Sequence, residues 1–202
     1  MGQSYLKNAA LLTGADVLLR LAGMGLRIYL ANALGGEGMG LYQLVLAVYA
    51  LFVTLATAGV SVAATRLMAE ELARGRAQAR GMLVRLAGTG LLLGAAAMAA
   101  QYGLAGAAAR WWLGDVRAAG ALRVSAFGMP WMALSAVLRG FFIARRRVEP
   151  NVLSQLVEQS VRIGIIWYAL EWGSAQDVSA RCTAVLAATA VSEAVSACIL
   201  LL

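Results

Sequence analysis

Residues 41–64 read LYQLVLAVYALFVTLATAGVSVAA, twenty-four positions without one charged side chain. At about 1.5 Å rise per residue, such a helix reaches about 36 Å, enough to cross roughly 30 Å of hydrocarbon. Inside a bilayer each backbone amide needs a partner within its own segment, so a run of this kind is a helix and not a strand. Five more runs of similar character occupy 9–34, 82–105, 121–144, 152–170 and 182–202. The sequence therefore predicts an all-α integral membrane protein, a bundle of about six transmembrane helices forming a single lobe over residues 1–202.

Composition agrees. Of 202 residues 61% are hydrophobic and 13% charged, against roughly 45–50% and about 25% in soluble domains. Seventeen Lys and Arg outweigh ten Asp and Glu, for a formal charge of +7. Such an excess can mark a nucleic-acid binder. Here the charges fall in short clusters between apolar runs, without the basic stripe and interleaved aromatics that binding of that kind uses. Membrane lipids are the expected partners and nucleic acid is not. The first run is too long for the apolar core of a cleavable signal peptide, and it carries Asp16, Arg20 and Arg27 where that core is apolar.

Basic residues in short loops set orientation. One set of loops holds Lys7, Arg66, Arg74, Arg76, Arg80, Arg85, Arg139, Arg145, Arg146 and Arg147, and the other holds Arg110, Arg117, Arg123 and Arg181. Ten against four places the amino terminus of this multi-pass membrane protein in the cytoplasm. Between the second and third runs, residues 66–80 mix charges with Leu and Met at helical spacing, with Glu70 four before Arg74 as a supportive pair. This segment is expected along the cytoplasmic surface.

Several chemistries are excluded by what is missing. The chain has no histidine, so a Ser-His-Asp triad, a Cys-His pair and an HExxH zinc helix are all absent. Cys182 and Cys198 alone cannot complete a four-ligand zinc site, and both are expected to be small buried hydrophobes. No metal, cofactor or enzymatic role is predicted. Gly35, Gly36, Gly38 and Gly40 have no GK[ST] after them, so they form a tight external turn and not a phosphate cradle.

The informative residues are the charges inside the spans. At about 100° per residue, Asp16, Arg20 and Arg27 fall within about 40° on the first helix, a single polar stripe. On the fifth, Asn151, Gln155, Glu158 and Arg162 likewise share one face. Each Asp or Arg near a helix centre costs roughly 2.5–3.5 kcal/mol to insert, so these groups should face protein or a wet cavity. Asp16 with Arg20, and Glu158 with Arg162, could be self-satisfied pairs that pin helices together. Arg27 has no acidic neighbour on its own helix, and guanidinium matches the geometry of a diphosphate. The candidate substrate-binding residues are thus Asp16, Arg20, Arg27, Gln155, Glu158 and Arg162.

The run Leu138-Arg139-Gly140-Phe141-Phe142, then Pro150 and Ser154-Gln155-Leu156-Val157-Glu158-Gln159-Ser160-Val161-Arg162, resembles the fourth and fifth helices of the stage V sporulation protein B and polysaccharide-transporter family. Arg20-Leu21-Ala22-Gly23, Leu34-Gly35-Gly36-Glu37-Gly38-Met39-Gly40-Leu41-Tyr42 and Thr65-Arg66-Leu67-Met68-Ala69-Glu70 are similar to its first hairpin and the end of its second helix. The resemblance covers about 6–162 and implies one lobe of a two-lobe fold in the MATE-like MOP superfamily. It further implies a flippase that moves a lipid-linked oligosaccharide or lipid II-type peptidoglycan precursor by alternating access. In the lipid II branch, first-helix arginines line a cationic cavity for the lipid diphosphate. Arg20 matches the first of these by its spacing to Gly35, and Arg27 stands one place from the second. The resemblance also implies a partner, either a missing second lobe of which this is the amino-terminal half, or a homodimer mate. A cation-coupled multidrug exporter and a non-transporting structural or assembly protein are the alternatives.

Overall fold

The glycine cluster turns the chain at one residue. In the computed structural model, which describes residues 2–57, 59–74, 76–145, 147–172 and 177–201 with the side chains of 2–12 and 74–79 left aside, helix α1 (Gly2–Thr57) is interrupted only at Gly35, with φ 69° and ψ −179°. Only glycine takes that φ without strain. The two arms then double back. Gly23 and Tyr49 line the same cleft of about 420 Å³, whereas a straight helix would hold them about 39 Å apart.

After Gly59, again at positive φ, come α2 (Val60–Arg74), α3 (Arg76–Ala107) with a π-helical turn at Ala108–Trp112, α4 (Ala118–Ala126), α5 (Met129–Ala144), α6 (Glu149–Glu171) and α7 (Val178–Leu201). No strand occurs among the described residues. Among the described residues, four stretches are long and apolar enough to cross a membrane: Thr13–Ala73, Arg80–Trp112, Ala118–Ala144 and Val178–Leu201. The first, at 61 residues, holds both arms of α1 together with α2. Helix α6 has the length but carries Glu158 and Arg162. Leu18, Ile28, Leu55 and Leu92 are 60–72% exposed mid-helix, a display that soluble proteins avoid and lipid tails accept. Exposed Trp111, Trp112 and Trp172 ring the end of the bundle nearest Gly35, as aromatic belts do at membrane interfaces. The chain is an all-α, multi-pass membrane bundle.

Some expectations shift. The second span, expected over 41–64, ends at Thr57, and the helix expected over 66–80 begins at Val60. That helix does not lie loose on a surface: Ala64 and Met68 are fully buried where α2 packs on α5 and α3. Glu70 pairs back with Arg66 at 3.2 Å; the expected Glu70–Arg74 pair lies outside the described side chains, as do Lys7, Arg74, Arg76 and Arg146. The fourth span breaks at Phe127–Gly128 into α4 and α5. There buried Gln101 donates through Nε2 to the Leu122 carbonyl (2.7 Å) and to Ser125 Oγ (2.9 Å), holding α4 against α3. Of the two cysteines only Cys182 is buried, and Cys198 is exposed. Sixteen residues rotate a helix by about 160°, so the pair cannot share a face.

At the Gly35 end a polar clasp ties three segments. Arg117 donates to Glu37 Oε1 at 2.7 Å and to the Asp115 carboxylate at 3.0 Å, while the Ser179 hydroxyl donates to the Arg117 carbonyl at 3.1 Å. The hydrogen bonds from Arg117, side chain before backbone, hold the Asp115 carboxyl below its usual range. A depressed carboxylate contributes its stabilisation at neutral pH and loses it as pH falls through the folded-state value. Hydrogen-exchange protection of 113–119 should thus stay level from neutral to mildly acidic pH and fall only below the ordinary carboxylate range; in Arg117→Ala it should be low throughout.

Close helix contact in the interior depends on small residues. A methyl group on Gly94 of α3 would sit 2.7 Å from Pro130 Cα and 2.9 Å from the Met129 carbonyl of α5. Overpacking costs about 1–3 kcal/mol, against roughly 1 kcal/mol that alanine gains in helix propensity. Gly94→Ala should lower the thermal midpoint in detergent, whereas Gly103→Ala, with nothing within 4 Å, should leave it level or raise it.

Candidate functional site

The cleft lies between the arms of α1 on one side and α5, α6 and α7 on the other. Its wall includes Arg27, Tyr42, Gln43, Tyr49, Gln159, Arg162 and Glu193. It is half-enclosed. Arg27, exposed on the first arm, makes no ion pair with any described residue.

Arg162 is anchored differently. Its Nη2 donates to Glu158 Oε1 at 2.6 Å, its Nε to Ser192 Oγ at 3.2 Å and its Nη1 to Gln159 Oε1 at 3.4 Å. The other Glu158 oxygen accepts from Arg139 Nη2 at 2.9 Å, and that same nitrogen reaches Ser196 Oγ at 3.2 Å. One carboxylate thus bridges two guanidiniums, joining α5, α6 and α7. All three side chains are less than one-third exposed, so the pairing is not a screened surface contact. Asn151, buried, donates to the Arg139 carbonyl at 3.3 Å and continues the same seam.

Of the six residues that the sequence nominates, Arg27 and Arg162 line the cleft, and Glu158 stands behind Arg162. Gln155 is half-buried beside the seam but does not line the cleft; Gln159, one turn on, does. Asp16 and Arg20 are exposed, form no ion pair among the described residues and lie off the cleft. Sharing a face does not bring them into it, because the cleft sits toward Gly35 and ends near Gly23. Arg139, counted above as a loop charge, belongs to the internal seam, which leaves nine loop cations against four. Glu193 and Tyr49 escaped the sequence reading altogether. Glu193 is 4% exposed and accepts from the Tyr49 hydroxyl at 3.1 and 3.2 Å. A lone Glu in the run Val191-Ser192-Glu193-Ala194 was the available signal, since a charge that deep in a span is expensive. Among the described residues no cluster of ligands suited to a metal occurs.

The chain matches the polysaccharide biosynthesis protein family over residues 5–202. The chain belongs to that family. Over 166 residues it is 34% identical to stage V sporulation protein B of Bacillus subtilis, a match that takes in 81% of this chain and 32% of the relative. The chain thus spans well under half of that relative's length. No solved structure matches it. In this polysaccharide biosynthesis family member, the helix that holds the seam is the one whose residues 154–162 carried the resemblance.

Removing one partner of a mostly buried pair strands the other charge, at about 3–5 kcal/mol. Glu158→Ala, which strands two guanidiniums, should cost at least the lower end of that range when unfolding is followed by denaturant titration in mixed micelles. Arg147→Gln, exposed between α5 and α6, should stay within about 0.5 kcal/mol of wild type.

Proposed function

We propose that this chain forms one lobe of a transporter that moves a lipid-linked saccharide precursor across the bacterial cytoplasmic membrane, with Arg27 and Arg162 contacting the lipid diphosphate. The observation that carries this reading is the cleft itself: two guanidiniums against one carboxylate on its wall, one of them without a carboxylate partner. A site built this way favours an anion with several acceptor oxygens, which guanidinium forks bind through charge-assisted hydrogen bonds. Membership of the polysaccharide biosynthesis protein family supports a lipid-linked saccharide cargo in general. A half-enclosed space of about 420 Å³ suits a headgroup, while the polyprenyl tail stays in lipid. The role is transport and not catalysis. The drug-exporter reading needs a net acidic cavity for organic cations, and the charge balance here runs the other way.

The nine-to-four bias of loop cations favours an amino terminus on the cytoplasmic side. Exposed Asp16 and Arg20 lie on an arm of membrane-crossing length, too costly to leave against lipid. A second lobe, or a second copy of the chain, covers that stripe and completes the cavity around which two halves alternate.

The test is binding of an undecaprenyl diphosphate-linked saccharide to the purified chain in nanodiscs, followed by native mass spectrometry. Losing one charge-assisted contact of about 1.5–3 kcal/mol should weaken binding about 10- to 150-fold in Arg27→Ala, and Asp16→Asn should bind like wild type. Equal affinity of Arg27→Ala and wild type would overturn the proposal.

A further inference from the structure

Glu193 is the one carboxylate on the cleft wall, and nothing in the anion-binding reading uses it. Its carboxyl group is buried, and among the described residues it makes no ion pair. The charged and titratable groups that surround it or share its cleft are Tyr42, Tyr49 and Arg27 from α1, Arg139 from α5, and Glu158 and Arg162 from α6. Both guanidiniums of the seam are already bonded to Glu158. At the break between α4 and α5 its neighbour is glycine: a methyl group on Gly128 would stand 2.6 Å from Glu193 Oε2 and 3.3 Å from the Tyr49 hydroxyl. The fold has left room for this carboxyl group and placed one hydroxyl on it.

That hydroxyl has two acceptors. Tyr49 Oη lies 3.1 and 3.2 Å from the two carboxylate oxygens and 3.9 Å from Met132 Sδ, within the looser reach of a sulfur acceptor. The side chains in contact with the carboxylate and its phenol partner are a hydroxyl and a thioether, and no cluster of ligands suited to a metal occurs among the described residues. A proton needs only the carboxylate and a path to water, which the cleft supplies.

We propose that Glu193 is a proton-binding site opening onto the cleft, and that the Tyr49 hydroxyl changes its acceptor with the state of that site. When Glu193 is ionised, the phenol O–H donates to the carboxylate. When the carboxylate takes a proton from cleft water, the new carboxyl O–H donates to Tyr49 Oη and the phenol O–H turns to Met132 Sδ. No covalent bond of Tyr49 breaks; one O–H forms on Glu193 as one O–H of a hydronium ion in the cleft breaks, leaving water. The exchange links α1, α5 and α7, the helices that carry Tyr49, Met132 and Glu193. It stands independently of what the cleft binds.

The experiment is pH-dependent infrared difference spectroscopy on the full chain reconstituted in lipid. The wild type should show one protonated-carboxyl C=O band whose intensity changes reversibly with pH. Glu193→Gln, close to isosteric, should lose it, and Asp16→Asn should retain it. Tyr49→Phe should keep the band and shift its frequency and midpoint, because the hydrogen-bond partner is gone. Absence of the band from wild type, or its survival in Glu193→Gln, would sink the proposal. Should Glu193→Gln not fold, Tyr49→Phe decides alone, and a band identical to wild type overturns the assignment.

Discussion

Ionised side chains in the apolar slab have to be enclosed, and the arrangement of α5, α6 and α7 follows from how one carboxylate does this. Glu158 gives one oxygen to Arg139 and the other to Arg162, so the three helices can meet in few other ways. Ser192 and Ser196 on α7 supply further acceptors at 3.2 Å. Apolar side chains there would leave guanidinium N–H groups unsatisfied. Such a seam adds little to stability over a well-packed apolar one, yet breaking it by halves is costly. Its effect is to fix geometry, and in doing so to present one face of Arg162 to open space.

Gly35 makes the opposite wall. Because the chain reverses at a single residue, the arms of α1 diverge and hold Arg27 and Tyr42 across from α6 and α7. Arg27 is then a cation with space in front of it. The polar clasp of Glu37, Asp115, Arg117 and Ser179 closes the same end of the bundle. Under the proposed transport reading, that clasp sits where an outer gate would be, and the buried carboxyl group of Glu193 shares the cleft wall with Arg162.

The fold class was legible because it depends on run length and charge spacing, which sequence shows directly. The ion pair of Glu158 with Arg162 was legible too, since partners four apart on a helix must be neighbours. Pairing across helices was not. Arg139 sits close to the basic cluster at 145–147 and reads as a topology signal, yet its side chain turns inward to Glu158. The polar stripe on the first helix gave the right face but not the depth, which is set by where the arms converge near Gly35; only Arg27 reaches the cleft, and Asp16 and Arg20 do not. Glu193 could have been weighed on cost alone. Its partner Tyr49 lies 144 residues away, beyond any local pattern.

Whether the cleft inside the bundle is wet and positively charged is read most directly from cysteine accessibility. In a chain whose Cys182 and Cys198 are replaced by alanine, Gln43→Cys and Gln159→Cys place thiols on the cleft wall, and Leu92→Cys places one on the lipid-facing surface. In intact membranes the two cleft thiols should react readily with impermeant reagents, faster with an anionic reagent than with a cationic one, while position 92 stays inert. Cleft thiols as unreactive as position 92, or a preference for the cationic reagent, would contradict the account.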